Sequence, residues 1–425
     1  MTQRTITFSP PDITQAEIDE VVDTLKSGWI TTGPKTKKLE AELASFIGVE
    51  KVACVNSATA ALECILRLLG IGPGDEVITS AYTYTASCSP ICHVGATPIL
   101  CDTYPNSYDL DLRILETLIT PRTKAIIAVD LGGIMADYPN LIALAESKKS
   151  LFEPASEIQE TLGRIAIIAD AAHSLGATSC GVPSGKAADF TSFSFHAVKN
   201  FTTAEGGALC WNIPRLDSEK LYRSVMLQTL HGQTKDALAK SQGSSWEYDI
   251  VFPGWKCNMT DIQASLGLVQ LQRYPDLLTQ RRVLVSAYES RLNNLPVSYR
   301  QHYHTKNGTS NASAPDAQAR NNCDNSSSSG HLMMVSLDGK SRAFRDALIE
   351  DLASRGIASN VHFKPLPLLS AYQNLGFKPQ KYPQAVAQFE KEITLPLHTL
   401  LTPDDIDYIC DNFQEAYRAL EVKGL

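Results

Sequence analysis

The sequence predicts an α/β chain, with a large domain built on a mainly parallel sheet followed by a small carboxyl-terminal α+β domain. Three observations carry this expectation. Short apolar runs alternate with amphipathic stretches at close intervals up to about residue 275, the pattern of strands and their covering helices. Two of the runs, KAIIAVD (124–130) and RIAIIAD (164–170), are continuously apolar between a basic first residue and a final aspartate, as strands buried on both faces are. The chain beyond 276 returns to single strands separated by amphipathic helices.

The elements follow in order. Thr14 to Glu17 form a capping-box pattern, with Ile18, Val21, Val22 and Leu25 spaced to give a helix one buried face. SGWITTGP (27–34) breaks that helix, and a second runs from Lys35 to about Phe46. Lys51 to Asn56 is a strand, and Ser57 opens a helix behind it. Small and hydroxylated residues at such a start (Ser57, Ala58, Thr59) suit a phosphate or a plain cap equally. Glu76 to Thr79 is a strand, a helix is expected from Tyr82, and Thr97 to Asp102 is a strand. Leu110 to Ile119 is helical. The stretch near 147–163 reads as a surface insertion with a short helix after Pro154. Helices are expected from Leu216 to Gln228, from Thr260 to about Arg273, and from Asp276 to Leu295 as the bridge out of the large domain (1–275). Residues 305–330 are Asn/Ser/Ala-rich and expected to be disordered, their two glycosylation sequons arising by chance. The small domain (276–425) then reads strand (331–337), helix (342–355), strand (357–363) and a final helix after Thr402-Pro403.

Composition excludes several classes of function. A chain of 425 residues can bury about two domain cores, and its net charge of −8 argues against nucleic acid or an anionic membrane as partner. The ten cysteines form no repeated CxxC pairs. Cys88 and Cys92, beside His93, lack a second pair and read as reduced core thiols, so no metal site is expected. The first residues hold no apolar leader, and no run of 18 apolar residues occurs, so a soluble, cytoplasmic protein is expected.

The chemistry is expected in DFTSFSFHAVKNFTTAEGG (189–207). Phe190, Phe193 and Phe195 mark a buried strand, Lys199 follows on a turn, and Gly206-Gly207 precede a second apolar run. A lysine held between buried strands can have its pKa lowered and attack carbonyls as a free amine. Taken alone, a surface lysine in a hairpin is the commoner case. The apolar run ending at Asp170 changes that balance, because it presents a carboxylate at a strand's carboxyl edge. A lysine and an aspartate so placed are what pyridoxal phosphate (PLP) requires: the amine holds its aldehyde and the carboxylate keeps its ring nitrogen protonated.

Assembled, these segments resemble the DegT/StrS type of PLP-dependent sugar aminotransferases, a branch of fold type I. The resemblance runs nearly end to end through SGWITTGP, NSATAAL, GDEVIT, GATPILCD, TPRTKAII, DAAHSLGA, FSFHAVKNFTTAEGG, GWKCNMTD, HFKPL and ITLPLH. Within the family the chain looks most like the enzymes that make UDP-4-amino-4-deoxy-arabinose, which suggests a UDP-linked 4-keto sugar. The resemblance implies a seven-stranded type of sheet, Lys199 as the cofactor-binding lysine, and Asp170 as the partner of the ring nitrogen. It places Tyr84 and His173 against the cofactor ring, and Ala58, Thr59 and Ser194 around the phosphate. Asn258 matches a residue that reaches the phosphate from a neighbouring subunit, so a homodimer with shared active sites is implied. Read by themselves, His173 and His196 are packed histidines, Tyr84 is core or interface, and Glu205 caps a turn. Asp130 departs from the family, standing where many relatives have histidine. The implied reaction moves an amino group from L-glutamate to a nucleotide-linked keto sugar. The rivals are a PLP-dependent sugar dehydratase, in which histidine typically replaces the lysine, and a non-catalytic PLP-fold protein; Lys199 and Asp170 argue against both.

Overall fold

The computed structural model describes residues 4–235, 238, 247–293, 295–304 and 325–424. Helix α1 (Gln15–Ser27) opens on the expected capping box, with Glu17 accepting the Thr14 backbone N–H at 2.8 Å. Its apolar face is not buried within the chain, however: Ile18, Val22 and Leu25 are 49, 38 and 53 % exposed. The opposite, polar side is the packed one, because buried Glu17 accepts from Gln270 and Arg273 of a later helix.

Then follow α2 (Pro34–Ile47), β1 (Val52–Val55), α3 (Ala58–Leu68), β2 (Glu76–Ser80), α4 (Ser89–His93) and β3 (Thr97–Cys101). The helix expected from Tyr82 starts later. Residues 82–84 run irregularly into a tight turn at Thr85–Ser87, and Pro90, tolerated only in a first helical turn, fixes the start of α4. Next come α5 (Leu112–Leu118), β4 (Thr123–Val129), α6 (Tyr138–Ser147), α7 (Glu157–Leu162) and β5 (Ala166–Asp170). The short helix expected after Pro154 is α7. It is packed rather than loose, for Gln159 is buried and donates to the Leu69 carbonyl at 2.7 Å.

The two-residue strands β6 (Thr178–Ser179) and β7 (Val182–Pro183) precede β8 (Phe190–Ser194), β9 (Gly207–Trp211), α8 (Ser218–Thr229) and α9 (Asp261–Leu292). Helix α9 unites the two helices expected on either side of Pro275. Proline removes one backbone hydrogen bond, and buried Tyr274 and Leu277 anchor the helix across the gap.

The main sheet has the order β1-β9-β8-β5-β4-β2-β3, with β9 antiparallel to both its neighbours and the other pairs parallel. Adjacent residues go to opposite faces, as strand geometry demands. Ile127 and Ile168 pack with α3 and α8 through Leu62, Ile65 and Val225. Ile126 and Ile167 pack with α2, α6 and the start of α9 through Leu43, Leu141 and Leu268.

The remaining elements are β10 (Val297–Tyr299), β11 (Tyr303–His304), β12 (Ser326–Ser327), β13 (Met333–Leu337), α10 (Arg342–Ser354), α11 (Ser370–Asn374), α12 (Pro383–Lys391), β14 (Glu392–Leu395) and α13 (Pro403–Val422). Strands β10, β13 and β14 form an antiparallel sheet whose core includes Leu284, Tyr288, Val335, Phe344, Ile393 and Phe413. Of the expected disordered segment, 305–324 lies outside the described residues, whereas 325–330 is ordered. Strand β12 there pairs with both β11 and β6. The strand expected over 357–363 is absent: Ile357 bridges to Ile6 and Asn360 to Thr394, and the chain between such different partners turns toward the sheet's carboxyl edge.

Candidate active site

A cleft of about 370 Å³ opens at the carboxyl edge of β5 and β8, where α/β sheets bind ligands. Seven of the eight predicted site residues line it: Ala58, Thr59, Tyr84, Asp170, His173, Ser194 and Lys199. Their convergence follows from strand order, since β1, β4, β5 and β8 all end at this edge and β9 begins there.

Asp170 is the last residue of β5 and is buried. Its Oδ2 accepts from Ser87 Oγ at 2.6 Å, and Oδ1 accepts from the Ala172 N–H at 3.3 Å. Burial raises its pKa, against the lowering effect of Ser87, Ala172 and Lys199. Lys199 is half-buried in the connection between β8 and β9, and its Nζ donates to none of the described residues. Burial lowers it from its usual 10.5 to about 8, partly offset by Asp170. The cleft thus presents an amine that is readily neutral and a desolvated carboxylate seeking a cationic donor.

His173 is buried, and its Nδ1 accepts the Gly132 N–H at 3.2 Å, so the ring proton sits on Nε2. Burial, and then Lys199, hold its pKa far below the usual histidine range, so the ring is neutral. Tyr84 is 58 % exposed in the cleft wall, its ring centroid 5.6 Å from that of Phe363.

At the start of α3, Ser57 Oγ accepts the Ala60 N–H at 3.1 Å. The N–H groups of Ala58 and Thr59 are the first of the helix and have no intrahelical acceptor. Ser192 Oγ holds the Ala58 carbonyl at 3.0 Å. Gly207 lets β9 meet this helix start, for a Cβ there would lie 2.4 Å from the Ser57 carbonyl carbon and 2.5 Å from Ala58 N.

Asn258 does not line the cleft of its own chain. It donates to Thr32 Oγ1 and accepts from Lys256 Nζ, next to buried Asp261, which caps α2 by accepting from the Gly33 and Thr36 N–H groups. Lys256 is exposed and stands outside the cleft as well. Asp130 is fully buried beyond β4, where it accepts from Tyr138 Oη, Ser174 Oγ and the Ala136 N–H while donating its own N–H to the Asp170 carbonyl. It acts as a brace for the Asp170 backbone and does not line the cleft.

Several lining residues escaped sequence reasoning. Ser87 carries no signal, since it falls inside the helix expected from Tyr82. His331, beside the ordered end of the supposed loop, packs 4.4 Å from His173 and pairs with Asn200 Oδ1 at 2.8 Å, while Asn200 Nδ2 donates to the Ser329 carbonyl at 2.8 Å. The neighbour of Lys199 is thereby tied to the chain entering β13. His362 and Phe363 lie in the quoted HFKPL segment without an assigned role, and Phe8 and Ser9 lie in the amino-terminal stretch. Cys88 and Cys92 are free thiols, and no group of side chains suited to a metal ion occurs among the described residues. No described helix is long and apolar enough to cross a membrane.

The residues present fit pyridoxal phosphate. Lys199 would hold its aldehyde, Asp170 its ring nitrogen, His173 and Tyr84 would flank its ring, and the start of α3 with Ser194 would take its phosphate. A fold type I sheet with that lysine–carboxylate pair defines a PLP-dependent enzyme. More narrowly, the chain belongs to the DegT/DnrJ/EryC1/StrS aminotransferase family, whose model matches residues 11–414.

Among solved structures it is similar to Spr1654 of Streptococcus pneumoniae, provisionally described as a sugar aminotransferase. The apo form is 51 % identical with a TM-score of 0.92, covering 99 % of this chain and 100 % of that one. The PLP form of the same protein is 51 % identical with a TM-score of 0.90, covering 98 % and 99 %. PseC of Helicobacter pylori, an aminotransferase in pseudoaminic acid biosynthesis, is 27 % identical with a TM-score of 0.80, covering 98 % and 100 %. The spore coat polysaccharide biosynthesis protein SpsC of Bacillus subtilis (strain 168) is 34 % identical over 418 residues, covering 97 % of each chain.

Proposed function

We propose that this PLP-dependent sugar aminotransferase transfers the amino group of L-glutamate to a nucleotide-linked keto sugar, with a UDP-linked 4-keto sugar as first candidate, for cell-surface polysaccharide. The observation that carries the reading is the cleft that holds Lys199 and Asp170 beside the start of α3. The roles of SpsC and PseC in polysaccharide and sugar-acid synthesis support the substrate class.

When bound, the cofactor supplies an electron sink for the amino group's α-carbon. The chain's own residues do the rest. With its pKa near 8, Lys199 Nζ is in part a free amine close to neutral pH, able to take a proton from the donor's α-carbon and return one to the sugar carbon. Asp170, fixed by Ser87, holds a proton on the ring nitrogen. Helix α3 anchors the phosphate, and the walls formed by Tyr84, His173 and Phe363 limit water. Asn258 is proposed to serve the partner's cleft in a cytoplasmic homodimer, in keeping with its absence from its own.

The test is a two-stage reaction. L-glutamate should discharge the visible band of the PLP-loaded protein, and a panel of UDP- and dTDP-linked 3- and 4-keto sugars should restore it. Discharge by L-glutamate with no restoration by any keto sugar would refute the acceptor class.

A further inference from the structure

The roles assigned above leave unused one imidazole that the fold holds with unusual care. His362 lines the same cleft as Lys199, on the wall formed by the segment after α10. Four contacts fix it. Its carbonyl accepts from Tyr82 Oη at 3.0 Å, and its N–H donates to Glu392 Oε2 at 2.9 Å. Its Nδ1 pairs with Thr394 Oγ1 at 2.9 Å, and Thr394 Oγ1 bonds Glu392 Oε1 at 2.5 Å. The ring also stacks on Phe8, with centroids 5.5 Å apart and planes 14° from parallel. Glu392 is wholly inaccessible, so a buried carboxyl group on β14 serves to hold one cleft side chain by its backbone and its ring together.

With Nδ1 occupied by Thr394, the ring's Nε2 edge is the polar group left over, and it bonds to none of the described residues. We propose that His362 is a specificity residue of the sugar half-reaction, its Nε2 hydrogen-bonding a ring hydroxyl of the keto sugar. The proposal rests on the sugar-aminotransferase reading above and deepens it. A hydroxyl both donates and accepts, so it matches Nε2 whichever way the proton lies along the Glu392–Thr394–His362 chain. An anionic group is a poor match: burial, with Lys199 nearby, lowers the His362 pKa to about 3, so the ring carries no charge to offer a carboxylate or a diphosphate. The same neutrality separates this residue from the donor half-reaction, in which two carboxylates of L-glutamate must be held.

The experiment compares wild type, His362→Phe, which retains an aromatic ring for Phe8, and His362→Gln, which restores a group able to donate and accept. Each PLP-loaded protein is first discharged with L-glutamate. It is then returned with a UDP-linked 4-keto-pentose or with its analogues lacking one ring hydroxyl each. The proposal expects His362→Phe to lose about tenfold or more in kcat/KM for the full sugar. His362→Gln should recover most of that loss, and His362→Phe should discharge with L-glutamate at close to the wild-type rate. For one analogue, wild type and His362→Phe should react equally slowly. If His362→Phe matches wild type on the full sugar, or loses equally on L-glutamate and on every analogue, His362 recognises no hydroxyl and the proposal falls. A wild type that discharges with L-glutamate but returns with no keto sugar instead overturns the underlying function, and this inference with it.

Discussion

Burial pushes Lys199 and Asp170 toward their neutral forms, and each partly restrains the other through its charge. Two expectations follow at this scale. Lys199 has a folded pKa below its unfolded value, so below about pH 8 both states carry the charge but only the folded one carries it desolvated in the cleft. That cost is relieved as pH rises from about 8 toward 10.5. Lys199→Met should therefore raise the melting temperature of the cofactor-free protein at pH 7, with the difference from wild type shrinking across that window. Capture of added PLP by wild type should speed up through about pH 8 rather than through the ordinary lysine range. The second expectation concerns Ser87, whose hydroxyl accepts from Thr83 Oγ1 at 2.7 Å and donates to Asp170. Ser87→Ala removes a charge-assisted bond and should cut kcat about tenfold to a hundredfold. The Kd for PLP should move much less, as a comparison of single-turnover rates with PLP titrations would check. Asp170 was legible in sequence because it closes an apolar run, and Lys199 because it follows on a turn between two further apolar runs; the first signal alone would have picked out Asp130 equally. Ser87 was not legible, because nothing local sets it apart, and only the fold brings the connection after β2 to Asp170 at the end of β5.

The elements that the sequence conveyed well are those whose signal is local: the capping box of α1, the apolar runs of β4 and β5, and the start of α3 at Ser57. The misread ones depend on distant partners. Helix α1 shows its apolar side because Glu17, Gln270 and Arg273 claim the other. Strand β12, inside a low-complexity stretch, exists through pairing with β6 and β11, and composition carries no trace of such pairing. Gly207 belongs to the same kind of distant contact, where β9 meets α3. Gly207→Ala should force that helix start away from the sheet, destabilise the protein by about 1–3 kcal/mol, and weaken PLP binding. Denaturant melts and PLP titrations would show both effects. A variant that binds PLP as wild type does would mean that the start of α3 does not carry the phosphate.

At the scale of the molecule, the side chains of Ile18, Val22 and Leu25 with Ile30, and those of Ile250, Val251 and Trp255 ahead of Asn258, are exposed, apolar surface of the kind the proposed second copy would bury. A shared site makes a sharp expectation. Lys199→Ala and Asn258→Ala should each impair the enzyme, yet mixing them should regain activity, because one of the two clefts in a mixed dimer then has both intact residues. No recovery after refolding the two together would exclude the shared site. Fold class and cleft were readable because this architecture sets its chemistry at the carboxyl edge of a sheet, a place that strand order alone determines. The wall formed by Phe8, His331, His362 and Phe363 was not, since these residues come from opposite ends of the chain. The most direct test of the central claim is the visible spectrum of the purified protein with added PLP, before and after L-glutamate, for wild type and Lys199→Ala. Wild type should gain a visible band that L-glutamate discharges into the near ultraviolet, and Lys199→Ala should gain none. A visible band of equal strength in Lys199→Ala, or one in wild type that L-glutamate leaves unchanged, would contradict the account.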